Sequence, residues 1–140
     1  MGDYTLTLGS GILAYGLDIN LVSLLNSTIT LSGASDLTLT APAVSVQNGR
    51  VAFDVPLSST VGLTLTADHI SREARLNTAN PNLQGVTTIT SGTLVYNTTG
   101  ALGPETTGTS NSIEIGNGTL QFNSAVGGNF SYSLAEPIKF

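Results

Sequence analysis

The chain has 140 residues, enough for one domain with a real core, and no shift in composition divides residues 1–140 into two. Only 9% of residues are charged against 40% hydrophobic, and the net charge is −5 with four basic residues in all (Arg50, Arg72, Arg75, Lys139). So few cations exclude a phosphate-neutralising surface and with it nucleic-acid binding, and the hydrophobic content argues against disorder.

The absence of cysteine excludes disulfides, zinc-thiolate sites and cysteine nucleophiles. No apolar run reaches the roughly 18 residues that span a bilayer, so membrane insertion is not expected. The start, Met1-Gly2-Asp3-Tyr4-Thr5, lacks the basic and apolar regions of a signal peptide. A polar remainder of Thr, Ser, Asn and Gly fits an extracellular or cell-surface β module, its signal absent or already removed, and equally a virion component.

Taken in order, residues 4–8 alternate as a short strand, and Gly9-Ser10-Gly11 is a turn. Residues 12–25 read two ways. Leu17, Ile19 and Leu21 fit a strand, whereas Leu13, Leu17, Leu21, Leu24 and Leu25 fit one helical face. Gly16, Ile19 and Val22 favour the strand.

Residues 27–55 carry the clearest signal, apolar and polar residues alternating with period two between turn residues. Strands are expected at 28–31, 37–41 and 44–46, the last leading into Asn48-Gly49. Asn-Gly between alternating runs signals a hairpin, because a type I′ turn needs positive φ at both central positions. Its register would set Val46 opposite Val51 and Val44 opposite Phe53 on the core face.

Strands continue at 51–57 and 61–66. Residues 67–76 then hold the only histidine and four of the thirteen charged residues. Asp68 can cap a helix and Ile70, Ala74 and Leu76 can dock one, so a short helix is expected near 68–76. Residues 77–85 read as a loop, 86–90 and 93–96 as strands, and 97–111 as a long exposed loop. Residues 112–115 and 119–122 would pair across Gly116-Asn117-Gly118, and Phe130, Tyr132 and Leu134 alternate in a late strand.

About twelve short strands at roughly 7–10-residue spacing point to one all-β domain, an antiparallel β-sandwich with one short helix; the alternative is a β-helix or solenoid.

Candidate chemistry is thin. On a helix His69 would share a face with Glu73 beside Asp68, giving metal candidates Asp68, His69 and Glu73, with Asp18 as a further oxygen donor. A metal site wants three or four ligands and there is no second histidine, so a solvated segment held by charge pairs is the simpler reading. The nine carboxylates are scattered, Asp54 points to solvent, and no Gly-x-Ser-x-Gly elbow appears, so no enzyme is expected. Four N-x-Ser/Thr sequons occur at Asn26, Asn97, Asn117 and Asn129, of which Asn97 beside the long loop looks most accessible.

Two stretches resemble known families. Asp36-Leu-Thr-Leu-Thr-Ala-Pro-Ala-Val-Ser-Val-Gln-Asn-Gly49 resembles the strand repeats in β-helical spikes of contractile phage tails, but the repeat does not persist after Leu65. Residues 36–55 together with the ending Phe130-Ser-Tyr-Ser-Leu-Ala-Glu-Pro-Ile-Lys-Phe140 are similar to bacterial surface haem-uptake domains, whose tryptophans and Gly-His element this chain lacks. That likeness implies Tyr15 and His69 as the groups to test at haem iron. Neither family is adopted, and no cofactor is expected.

The function expected is a non-enzymatic surface or structural module that self-assembles or mediates adhesion. The partner would be a second copy, or a filament, joined through strand edges that almost no lysine blunts. Residues 4–8 and 128–140 are the expected exchangeable strands. The alternative is a ligand-binding module for carbohydrate, calcium or haem, in which Tyr4, Tyr15, Tyr96 and Tyr132 could stack or ligate.

Overall fold

The computed structural model describes residues 3–21, 26–98, 100–104, 112–123 and 138–139, and everything below concerns these. The chain is all-β. Its strands are β1 (Tyr4–Thr7), β2 (Ile12–Ala14), β3 (Leu17–Asn20), β4 (Thr28–Ser32), β5 (Leu37–Leu39), β6 (Ala43–Asn48) and β7 (Arg50–Asp54). They continue as β8 (Leu57–Ser59), β9 (Leu63–Ala67), β10 (Glu73–Leu76), β11 (Asn82–Leu83), β12 (Val86–Tyr96), β13 (Ser112–Phe122) and β14 (Ile138–Lys139).

Every strand pairing is parallel. This overturns the antiparallel sandwich in favour of the β-solenoid. The physical reason lies in the alternation itself. A strand with one face in and one face out gives the same period-two pattern in either architecture. Parallel neighbours need a long crossover. Here the crossover is the remainder of a three-sided rung. Ala74 lies beside Leu94, 20 positions on, and Asn20 beside Asn48, 28 positions on, with every other register pair between these steps.

Three faces stack along the solenoid. Face one holds β1, β4, β7, β10 and the second half of β12; face two holds β2, β5, β8 and β11; face three holds β3, β6, β9 and the first half of β12. β12 pairs with β9 through Thr87–Ile89 and with β10 through Thr93–Tyr96, so it rounds a corner without leaving strand geometry. β13 follows it along its length. Faces one and three therefore form a single ten-stranded sheet, closed by the four-stranded sheet of face two.

The core is a set of apolar columns. Leu31, Phe53, Leu76 and Tyr96 stack on face one, Leu37 and Leu57 on face two, and Val44, Leu65 and Ile89 on face three, all buried. Each such side chain contributes roughly 1.5–3 kcal/mol by leaving water.

The hairpin expected at Asn48-Gly49 is a corner. β6 pairs with β3 and β9, and β7 with β4 and β10, so Val44 lies beside Leu17 and Leu65, and Phe53 beside Leu31 and Leu76. Gly49 does adopt positive φ (76°), and Arg50 N–H donates to the Ser27 carbonyl of the preceding rung. Only the glycine half of the expected turn is met, since Asn48 is the last residue of β6. The helix expected near 68–76 is absent. Residues 68–71 form a turn in which Arg72 N–H donates to the His69 carbonyl, and Ala74 and Leu76 then alternate inward as β10, in register with Val51 and Phe53. Packing on two neighbouring rungs outweighs a helix propensity worth tenths of a kcal/mol per residue.

The hairpin across Gly116-Asn117-Gly118 is likewise one continuous strand on β12. In the expected 97–111 loop, Ala101 and Leu102 are buried. Residues 12–14 and 17–20 are strands, and 22–25 lie outside the described residues. Residues 105–111, the late strand near Phe130–Leu134 and Asn129 also lie outside them.

Candidate functional site

The site candidates from sequence do not converge. His69 is exposed on the turn after β9, where its Nδ1 lies 2.8 Å from the Ser71 hydroxyl and accepts from Ser71 N–H at 3.1 Å. Asp68 pairs with Arg72 at 3.3 Å. Glu73 belongs to β10, not to a helix with His69. It points outward on face one between Arg75 (2.6 Å) and Arg50 (3.5 Å). Asp18 sits on β3 in the first rung, accepting from Gln47 Nε2 at 3.2 Å. Tyr15 is 83% exposed at the corner between β2 and β3. No three His, Cys, Asp or Glu side chains gather among the described residues. Tyr15 and His69 stand on different rungs at different corners.

The polar side chains instead form ladders between rungs. Asn77 Nδ2 donates to Asp54 at 2.6 Å, and Asn97 Nδ2 donates to Asn77 Oδ1. Asn48 donates to Asn20 at 2.8 Å, and Asn82 to Asp36 at 3.0 Å. Asp54 is exposed, as expected. Asn97, however, spends its amide nitrogen in the ladder, so it is not the accessible sequon that its place beside a loop suggested; Asn26 and Asn117 are exposed. A signal for the ladder was present in the sequence. Asp54, Asn77, Asn97 and Asn123 each directly follow the second inward apolar residue of a rung, namely Phe53, Leu76, Tyr96 and Phe122.

Two surface features stand apart from these ladders. The first is the open end of the core. β1, β2 and β3 each pair on one side only, with β4, β5 and β6. Tyr4, Leu6 and Ile12 continue the columns of Ile29, Leu31 and Leu37, yet Leu6 is 55% exposed where Leu31 is 4%. Leu13 adds an outward apolar side chain at a position that face two fills with Thr38 and Ser58 on the next rungs. Five of the eight large exposed hydrophobics thus fall in this first rung. Residues 3–20 contain no Lys, Arg or Pro to blunt the edge, and Asp3 is committed to the Thr28 N–H at 2.8 Å.

The second feature is a shallow groove of about 400 Å³ on face three, lined by Thr88, Thr90, Glu114, Ile115, Gly116 and Lys139. The outward row there runs Thr64, Thr88, Glu114, Lys139 by register, with Lys139 Nζ 3.4 Å from Glu114. Gly116 leaves the trough beside Thr90 unfilled. A scan against models of protein families gives no match, and neither do comparisons with curated proteins and with solved structures.

Proposed function

We propose that the chain is a non-enzymatic structural module, a β-solenoid rod of the extracellular, cell-surface or virion kind that associates with copies of itself. The observation that carries this reading is the uncovered first rung. Apolar columns that are buried through the middle rungs stand open there, beside strand edges that have no partner among the described residues. Both features favour association, since unpaired N–H and C=O groups template strand addition and an exposed apolar patch gains free energy on burial. The ladders support the same reading, because they commit polar groups to holding rung on rung. Light scattering across a concentration series should show the average mass rising above the 14.3 kDa monomer. A constant monomer mass at the highest soluble concentration would remove the reading.

The groove on face three favours a second reading, a carbohydrate-binding surface. Hydroxyls of Thr88 and Thr90 beside the Glu114–Lys139 pair are the donor and acceptor types that meet sugar hydroxyls. Calcium fits less well, since the groove offers one carboxylate against the six to eight oxygens that ion takes. A thermal-shift screen with soluble oligosaccharides should then raise the melting temperature of the native chain but not of Glu114→Gln/Lys139→Gln. No shift with any sugar would leave association alone.

A further inference from the structure

We infer that the groove on face three takes a neutral, extended glycan chain laid along the solenoid axis, running from Glu114 and Gly116 back across the threonines of β12 and β9. The inference rests on the carbohydrate reading of that groove and names the chemistry and the direction of its ligand.

Gly116 opens the groove. By register its outward column on face three runs Ser45, Thr66, Thr90, Gly116, so one rung lacks the side chain that the others carry. A Cβ built on Gly116 would lie 3.6 Å from the Ile89 and Thr90 carbonyl oxygens, an ordinary contact distance. The backbone has room for a side chain there and the sequence leaves it out. The space that results is walled by Thr88, Thr90 and Glu114, with Ile115 as its apolar part.

The surface continues past the groove. Its second outward column runs Ala43, Thr64, Thr88, Glu114. β6, β9, β12 and β13 pair along these columns without a register shift, so both stay straight over about 14 Å, three steps of about 4.8 Å. The hydroxyls of Thr64, Thr66, Thr88 and Thr90 hold no side-chain hydrogen bond among the described residues, whereas those of Thr40 and Thr93 are spent on the Ala14 and Ile70 carbonyls. Two rows of hydroxyls and methyls suit a chain whose residues carry hydroxyls at the rim and C–H groups on the face.

Charge narrows the class. Among the described residues, the charged side chains at outward positions of face three are Asp18 at one end and the Glu114–Lys139 pair at the other. A uronate or sulfated chain would meet Asp18 and Glu114 with only Lys139 to offset them, on a protein of net charge −5. A neutral chain leaves the Glu114–Lys139 pair intact and can donate its hydroxyls to the Glu114 carboxylate. Shape narrows the linkage. A straight, flat sheet meets a ribbon-like β-1,4-linked chain along its length, whereas a coiling α-1,4 chain touches it at one rung.

Isothermal titration of the full chain tests this with disaccharides and hexasaccharides of β-1,4-linked glucose, xylose and N-acetylglucosamine. In at least one series the hexasaccharide should bind about tenfold tighter than the disaccharide or better, the worth of two added hydroxyl contacts. Thr64→Val/Thr66→Val should remove that gain and leave the disaccharide affinity unchanged. Gly116→Thr should weaken both at least tenfold by filling the groove, and native-like melting temperatures would show that both variants fold. Equal affinity for the two lengths would mean that the groove takes a short sugar or a chain end; the inference falls and the carbohydrate reading stands. An α-1,4 glucan or oligogalacturonate hexamer that binds as tightly would overturn the linkage or the neutral class. No binding by any sugar would remove both the reading and the inference.

Discussion

Gly62→Ala should lower the stability of the solenoid by about 2–5 kcal/mol and the melting temperature by on the order of 10 °C. Gly62 stands at φ +90°, directly before β9, and a Cβ built there would lie 2.0 Å from the Val86 carbonyl oxygen. That oxygen is backbone in the first residue of β12, whose next residue is in register with Leu63. It cannot swing aside as a side-chain tip would; the two rungs must part at this corner. Two costs add. The left-handed backbone penalises any Cβ by about 1–2 kcal/mol, and forcing apart a packed contact costs about 1–3 kcal/mol. Gly100→Ala separates them. Gly100 also has positive φ (76°), but its added Cβ would meet only the Ala79 methyl at an ordinary 3.5 Å. Urea unfolding of the two variants should show Gly62→Ala losing clearly more. Equal losses would mean that the corner relaxes and that close approach of the rungs is not what requires glycine.

The same corner shows what the sequence could and could not disclose. The residue before each face-three strand is Gly16, Pro42, Gly62 or Gly85, a column of chain-breakers down one corner. Only Gly85, at the end of the expected 77–85 loop, reads as a break; Gly16 and Gly62 read within strands. Their stacking was not legible, because the step from one rung to the next varies between 20 and 28 residues and no fixed period survives. Phe53-Asp54, Leu76-Asn77, Tyr96-Asn97 and Phe122-Asn123 repeat on the same irregular step. Burial was legible where pairing was not. Val44, Val46, Val51 and Phe53 all lie in the core, as their alternation implies, but on two faces rather than across a hairpin. His69 and Glu73 looked like a pair only on an assumed helix; strand geometry sends Glu73 to the arginines of face one instead. The open first rung left no trace of its own in the sequence, because the stretch free of Lys, Arg and Pro runs from residue 1 to 41 and takes in the next rung as well; its exposure follows only from the order of stacking.

Asn80→Ala should cost about 2–5 kcal/mol, a large share of the 5–15 kcal/mol that holds a domain folded. Asn80 reads as a loop residue in Asn80-Pro81-Asn82, yet only 1% of it is exposed. Its Oδ1 accepts from Leu57 N–H at 2.7 Å and its Nδ2 donates to the Ala101 carbonyl at 2.5 Å. Those partners lie 23 and 21 positions away, so the side chain ties three successive passes of the chain through this corner. Alanine would leave one donor and one acceptor buried without partners, each costing about 1–3 kcal/mol. Asn80→Asp tests whether the donor half matters. A carboxylate can still accept from Leu57 N–H, but it faces the Ala101 oxygen with no proton to offer, so burial and that carbonyl both favour the neutral acid in the fold. A group whose folded pKa is raised stabilises most below its unfolded pKa and loses that contribution as pH rises through the folded value. The deficit of Asn80→Asp relative to the native chain should therefore be smallest in acid and widen toward neutral pH, whereas that of Asn80→Ala should stay level. Parallel curves for the two variants would show that the bond to Ala101 carries little of the stability and that Leu57 N–H is the contact that matters.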